Sequence, residues 1–415
     1  MNELELIDDG DEFFERLWNM IDESKVCCWV LTYHMVDNYI ANETLKKLEE
    51  AAKRGVNVVL FVDWLNYYAD KDLVKRLEQA GGLVRSLNPM DPFQRFKHNL
   101  DILSRDVFER YHQKLFLIDE NVIVGSANLD SDYASSKYGY SKFYDLNIII
   151  KGKCVNESLT VFGNIAERYN YPMAVPVLKD TEDPSIEILV SEPNYLRFDI
   201  QERVLEMINK AQTRIILLHG YYVHIPKIIE ALRKAIARGV KVEMITSKLR
   251  DQPVYKHFEN SWLTNHLRDM GIEVYEYMPK VMHMKAYLCD DEITVGSFNN
   301  DKWSWGLNNE LNLYITDPKL TQKLVPIIEE IKLKSQKVQN NPLPLWKKSL
   351  IRFWEVFLYL SEVVMDRRKY YKKHFVQAFF LDPNTTYEQK YQHHIAKNKH
   401  RERNTFRRLL ADSYA

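Results

Sequence analysis

Cysteine is scarce in this chain: Cys27, Cys28, Cys154 and Cys289 are the only four among 415 residues. They have neither the density of a disulfide framework nor the spacing of a zinc site, so they read as free thiols of a reducing compartment. His34, His219, His224, His393 and His394 do not recur at metal-ligand spacing, and neither a metal nor another cofactor is expected. A run of about 20 apolar residues is missing, which argues against a membrane-spanning helix. The opening segment MNELELIDDGDEFF has no basic stretch and no apolar core, so neither a secretory signal nor an Arg-rich transit peptide is expected. Net charge is nearly absent as well, with 57 basic against 58 acidic residues.

That balance hides an asymmetry. Residues 341–415 hold 15 Lys/Arg and 7 Asp/Glu, a net of +8; the remaining 42 and 51 leave residues 1–340 at −9. A mildly acidic body lacks the basic track of a nucleic-acid enzyme, so nucleic acid is not the expected partner. The 46% hydrophobic and 12% aromatic content indicates a globular chain with a sizeable core, long enough for about two or three domains.

One pattern is present twice. His112-x-Lys114-x4-Asp119 is followed by Gly125, Ser126 and Asn128; His283-x-Lys285-x4-Asp290 is followed at the same interval by Gly296, Ser297 and Asn299. A single copy would be weak, because short patterns recur by chance. Two copies in register indicate a duplicated unit. The repeat extends further: residues 45–58 match 229–242, each a helical pattern ending at a glycine, Gly55 or Gly239, before an apolar strand. The strand–helix alternation implies an α/β fold with a mostly parallel sheet flanked by helices. The expected organisation is a first half over 1–170, a second over 171–340 after the proline-bearing linker 171–185, and a basic helical tail over 341–415. The first half also carries about 19 extra residues within 86–110, placed to border the site.

The spacing carries chemistry. Side chains two apart on a strand share a face, so each histidine points with its lysine while Asp119 and Asp290 point away. The six motif residues His112, Lys114, Asp119, His283, Lys285 and Asp290 form the candidate catalytic set, with the two aspartates read within it as structural partners. Ser126, Asn128, Ser297 and Asn299 are candidate phosphate ligands. Two lysines and two amides would offset the charge of a phosphodiester; one neutral histidine can attack phosphorus while the other, protonated, serves the leaving oxygen. Each imidazole needs a partner to fix its tautomer, and Asp145 and Glu310, at corresponding places in the halves, are the candidate orienters. His34 and His219 end the first strands of their halves, with Tyr33, Tyr221 and Tyr222 as candidates for the same cleft wall.

The paired motifs resemble the phospholipase D superfamily over residues 1–340. Within it, Ala52-Lys53-Arg54-Gly55-Val56, the turns 126–130 and 297–301 and the basic-aromatic tail are most similar to bacterial-type cardiolipin synthases. The resemblance implies a metal-independent, two-step phosphatidyl transfer with phosphatidylglycerol as substrate. It also implies that His112 is the nucleophile and His283 the acid/base, each held by an acidic residue of the opposite half: His112 by Glu310 and His283 by Asp145. The chain departs from the family in having five rather than six residues between each motif aspartate and the following glycine, and in lacking the N-terminal membrane helices of many relatives. A phospholipase D that transfers to water shares the motif, because the acceptor is chosen by pocket shape and water exclusion. Nothing in the pattern specifies an oligomeric state.

Membrane attachment is therefore expected from the tail, on the cytoplasmic side. Residues 345–360 are apolar and aromatic but are broken by Lys347, Lys348, Arg352 and Glu355, and the basic clusters 367–369 and 372–373 follow. Such a segment suits an interfacial helix over 345–373 on an anionic surface, where each Lys or Arg contributes about 1 kcal/mol. Truncation after Asn340 is expected to release the protein from phosphatidylglycerol vesicles in flotation, with circular dichroism confirming that the body stays folded. Full co-flotation of a folded truncated chain would move attachment to 86–110.

Overall fold

The computed structural model describes residues 4–97, 105–181, 183–249 and 260–339, together with Trp346 and Ser349. The expected interfacial segment 345–373 lies almost wholly outside these residues, as do positions 98–104 of the insert and the pair His393–His394.

Two sheets carry the two halves. The first contains β1 (Leu4–Ile7), β2 (Cys27–Thr32), β3 (Asn57–Asp63), β4 (Leu83–Leu87), β5 (Leu115–Ile118), β6 (Asn121–Gly125) and β7 (Asn147–Lys151), in the spatial order β1-β7-β6-β5-β2-β3-β4. The second contains β8 (Ile186–Glu192), β9 (Arg197–Phe198), β10 (Arg214–His219), β11 (Lys241–Ser247), β12 (Glu273–Tyr277), β13 (Lys285–Cys289), β14 (Glu292–Gly296), β15 (Glu310–Ile315) and β16 (Ser335–Lys337). Their order is β9-β8-β15-β14-β13-β10-β11-β12-β16. The strands β2 and β13 are buried along their whole length, as apolar runs covered on both faces should be.

The duplicated α/β architecture agrees with the sequence, but the mostly parallel sheet needs correction. Within these two sheets only β2–β3–β4 and β10–β11–β12 pair in parallel; the motif hairpins β5–β6 and β13–β14 and the strands beyond them are antiparallel. The reason is local. A helix crossover returns the chain for a parallel strand, whereas the two residues after Ile118 or Cys289 permit only a hairpin. The helix-ending glycines stand as expected, with φ of +87° at Gly55 and +89° at Gly239.

The inner faces of both sheets share one core with the helices Val155–Tyr169 and Pro318–Leu333, so Leu115, Val122, Phe162, Leu288, Leu311 and Ile328 belong to one apolar cluster. The helices Gly10–Glu23 and Tyr39–Lys53 cover the outer face of the first sheet, and Asp199–Lys210 and Pro226–Ala237 that of the second. Segment 171–181 has neither helix nor strand and is tied to the first half through Asn57 Nδ2 to the Ala174 carbonyl and Thr181 N–H to the Gly152 carbonyl. Among the described residues no helix is long and apolar enough to cross a membrane.

Asp119 and Asp290 occupy the hairpin turns with φ of +49° and +51°, a region that aspartate tolerates better than most residues. Asp119 accepts the backbone N–H groups of Lys25, Val26 and Cys27 at 2.9, 2.8 and 3.0 Å, which fixes the start of β2. Asp290 does the same for Gln212, Thr213 and Arg214 at the start of β10. These two carboxylates, read within the catalytic set as structural partners, sit at the hairpin end of the motif strands, engaged by backbone amides. Losing at least three accepted hydrogen bonds and forcing alanine into a left-handed turn is expected to cost about 2–4 kcal/mol in Asp119→Ala or Asp290→Ala. Chemical denaturation measures this; unchanged stability would remove the structural role.

Candidate active site

The histidines are placed by backbone pairing across the halves. His112 N–H donates to the Asn309 carbonyl at 2.9 Å and Asn309 N–H to the Arg110 carbonyl at 2.8 Å, so the segment entering the first motif runs beside the segment leading to Glu310. In the other direction His283 N–H donates to the Tyr144 carbonyl at 2.9 Å, and Val281 and Met282 pair in parallel with Phe143 and Tyr144. Each motif histidine therefore enters the cleft alongside the acidic residue of the opposite half. His112 Nδ1 lies 2.9 Å from Glu310 Oε2, and His283 Nδ1 lies 2.8 Å from Asp145 Oδ1. With the proton on Nδ1 toward the carboxylate, Nε2 of each ring is left as the reactive nitrogen.

The lysines are fully buried. Lys114 Nζ donates to the His112 carbonyl at 2.8 Å and Lys285 Nζ to the His283 carbonyl. Tyrosine walls surround the imidazoles: Tyr33 stands edge-on to His112 at 4.7 Å between ring centres, and Tyr133 and Tyr221 face His283 at 5.1 and 5.8 Å. Of the residues proposed for this wall, Tyr33 and Tyr221 adjoin the imidazoles. His219 instead packs on Tyr287 at 4.5 Å with both ring nitrogens unpartnered, and Tyr222 lies in the outer core of the second half.

The serines require a correction. Ser126 Oγ donates to Asp145 Oδ1 and Ser297 Oγ to Glu310 Oε2, so both hydroxyls are spent on the carboxylates that hold the histidines. The cause is the close return of the chain after each hairpin. A Cβ on Gly125 would fall 2.1 Å from Asn147 Oδ1, and one on Gly296 2.3 Å from the Leu311 carbonyl. Asn128 and Asn299 keep an amide oxygen buried and unpartnered in both halves. Asn128 Nδ2 donates to the Tyr133 hydroxyl at 2.7 Å. Turning either amide over would present an N–H in place of that oxygen.

Sequence reasoning missed several supports. Ser304 Oγ and Asn308 Nδ2 donate to Glu310 Oε1, and Asp63 receives Arg110 Nη1 at 3.2 Å and the Tyr111 N–H at 2.8 Å, fixing the approach to His112. None of these belongs to the repeat, so no pattern marked them. Among the described residues no three His, Cys, Asp or Glu side chains are grouped to hold a metal ion.

Electrostatics favours neutral rings at this buried site. Burial pushes His112 down to about 4 against the pull of Glu310, and burial with Lys285 pushes His283 to about 4 against Asp145. Burial also drives Lys114 well below its ordinary value, even with Glu310 opposing. Burial alone would raise Asp145 and Glu310; the facing His283 and His112, the nearby lysines and the serine hydroxyls hold both carboxyls below their usual range. An arriving phosphodiester reverses the lysine effect and favours a protonated imidazole.

Two histidine–lysine pairs set in one cleft by two copies of one α/β unit define a phospholipase D-type centre. The chain belongs to the family described as cardiolipin synthase, PLD-like domain, which matches residues 17–165 and 204–332. It is 30% identical over 368 residues to cardiolipin synthase of Listeria welshimeri, spanning 85% of this chain and 73% of the relative. It is 28% identical over 348 residues to cardiolipin synthase B of Salmonella typhimurium, 78% of each chain. Phosphatidylserine synthase of Haemophilus influenzae superposes with a TM-score of 0.68 over 88% of this chain and 95% of that one at 14% identity. Polyphosphate kinase of Porphyromonas gingivalis gives 0.53 over 86% and 56% at 15% identity. At such identities these two structures establish the shared fold alone.

The depressed imidazoles predict a pH effect on stability. The unfolded rings take up protons below about 6.5 while the folded rings stay neutral until about 4, so stability is full above 6.5 and falls as pH drops toward 4. Urea titrations at pH 7 and 5 should show a larger loss for the native chain than for His112→Gln/His283→Gln; equal losses would place the acid sensitivity elsewhere.

Proposed function

We propose that this phosphatidyltransferase moves a phosphatidyl group from phosphatidylglycerol through His112 to a hydroxyl of a second phosphatidylglycerol, giving cardiolipin and glycerol. The observation that carries the reading is the pair of imidazoles held by carboxylates crossed between the halves. In the first step His112 Nε2 forms a bond to phosphorus as the bond to the glycerol oxygen breaks, and protonated His283 gives that oxygen its proton. In the second, neutral His283 takes the proton of the incoming hydroxyl as its oxygen displaces Nε2 from phosphorus. Lys114, Lys285, Asn128 and Asn299 stabilise the charge on the non-bridging oxygens.

The roles of the two histidines follow the family resemblance, and local geometry supports them. Both oxygens of Glu310 receive donors, from His112, Ser297, Ser304 and Asn308, which fixes the ring that must attack in line. Asp145 receives Ser126 and His283 through one oxygen, leaving Oδ2 unpartnered and His283 freer to serve leaving and entering oxygens in turn. The lipid substrates place the work at a membrane surface, with the basic tail as the cytoplasmic-side attachment.

His112→Asn is expected to abolish turnover and any covalent phosphatidyl adduct, whereas His283→Asn abolishes turnover but still yields an adduct on His112, read by mass spectrometry of acid-quenched protein. An adduct on His283 with His112 idle would reverse the roles. Phosphatidylglycerol vesicles should give chiefly cardiolipin and glycerol, with or without exhaustive chelation. Phosphatidic acid as the main product would make the enzyme a hydrolase, and loss in chelator restored by a divalent ion would refute the metal-free mechanism.

A further inference from the structure

The two halves differ where their first strands end. Leu31 pairs with Leu115 and Leu218 pairs with Ala286, each partner being the residue after the motif lysine. Three positions beyond these equivalent leucines stand His34 in the first half and Tyr221 in the second. Tyr221 adds an aromatic face beside His283 and Lys285. His34 instead makes a third imidazole–carboxylate pair, with Nε2 3.2 Å from Asp130 Oδ2.

The pair has the structure of a held binding group. Asp130 is nearly buried and is fixed through its other oxygen by Asn38 Nδ2 and the Asp132 N–H, both at 2.9 Å. The equivalent Asp301 spends its carboxylate on the Ser304 N–H and has no histidine partner among the described residues. The His34 side chain remains 31% exposed, and among the described residues nothing hydrogen-bonds its Nδ1. It follows directly on Tyr33, which packs on His112 and lies under Lys114 Nζ, and it feels the Lys114 charge. A polar, oriented and accessible ring therefore borders the first-half side of the cleft, where the second half offers an aromatic one.

We propose that His34, oriented by Asp130, binds a second hydroxyl of the acceptor and so selects a polyol headgroup over water. This deepens the phosphatidyl-transfer reading and rests on it. A glycerol headgroup has two free hydroxyls on adjacent carbons. One attacks phosphorus and gives its proton to His283; the other is left for the residue that follows Tyr33, whose ring packs on the nucleophile. Water has no second oxygen to offer, so the contact improves transfer without improving hydrolysis. No bond is made or broken at His34, which acts as an acceptor-binding residue.

The test follows the partition of the intermediate in the full-length protein on phosphatidylglycerol vesicles. Relative to the native chain, His34→Ala should lower the ratio of cardiolipin to phosphatidic acid by about five- to tenfold, the worth of one hydrogen bond, while glycerol release falls less. With soluble acceptors added, the native enzyme should prefer 1,2-propanediol to 1-propanol, and His34→Ala should lose that preference; His34→Gln, which keeps a donor and an acceptor, should restore part of it. An unchanged ratio and diol preference in His34→Ala would overturn the proposal, as would a parallel fall of glycerol release and ratio in both variants. If the native enzyme makes only phosphatidic acid, the transferase reading itself fails, which is a different outcome.

Discussion

The structure depends on an exchange of backbone hydrogen bonds between the halves. Arg110–His112 runs beside Asn309 and its neighbours, and Val281–His283 runs beside Lys142–Tyr144. These short ladders occupy the N–H and C=O groups of segments that leave their own sheets, groups that would be costly to bury unpaired. Because Glu310 and Asp145 follow directly on the paired residues, the same ladders fix which carboxylate meets which imidazole. The common core beneath, drawn from both sheets and the helices at 155–169 and 318–333, resists sliding of one half past the other.

Charge at the centre follows from that burial. Six ionisable groups, three for each motif, lie in a space with little water, so each group is governed by its neighbours more than by its own nature. The lysines make protonated imidazoles costly and ionised carboxylates favourable, and the carboxylates oppose the first of these effects. The serines add to this balance indirectly, by holding the carboxylates ionised and aimed.

Much of this was legible in the sequence because duplication supplies an internal control. His112, Lys114, His283 and Lys285 stood out at equal spacing, and Asp145 and Glu310 fell at equivalent places. The strand alternation separated the motif aspartates from the motif bases. What was not legible lacks a repeat. Asp63 and Arg110 meet across 47 positions, and Ser304 reaches Glu310 from a short helix with no counterpart among the described residues of the first half. The parallel sheet was over-extended because helix signals dominate a linear reading, while a two-residue turn, which reverses the chain and decides the pairing, leaves little trace. The serines were misjudged for a related reason. A hydroxyl after glycine can serve a ligand or a neighbouring side chain, and only the return of the chain at Asn147 and Asn312 decides which.

The crossing of the carboxylates also bears on how such a gene can change. Glu310 serves a ring 198 positions before it, and Asp145 one 138 positions after it. Neither half can drift, be exchanged with a relative's or be deleted without altering the base inherited by the other. Recombination inside the linker would separate every acid from its histidine at one stroke, so the two copies are bound to descend together.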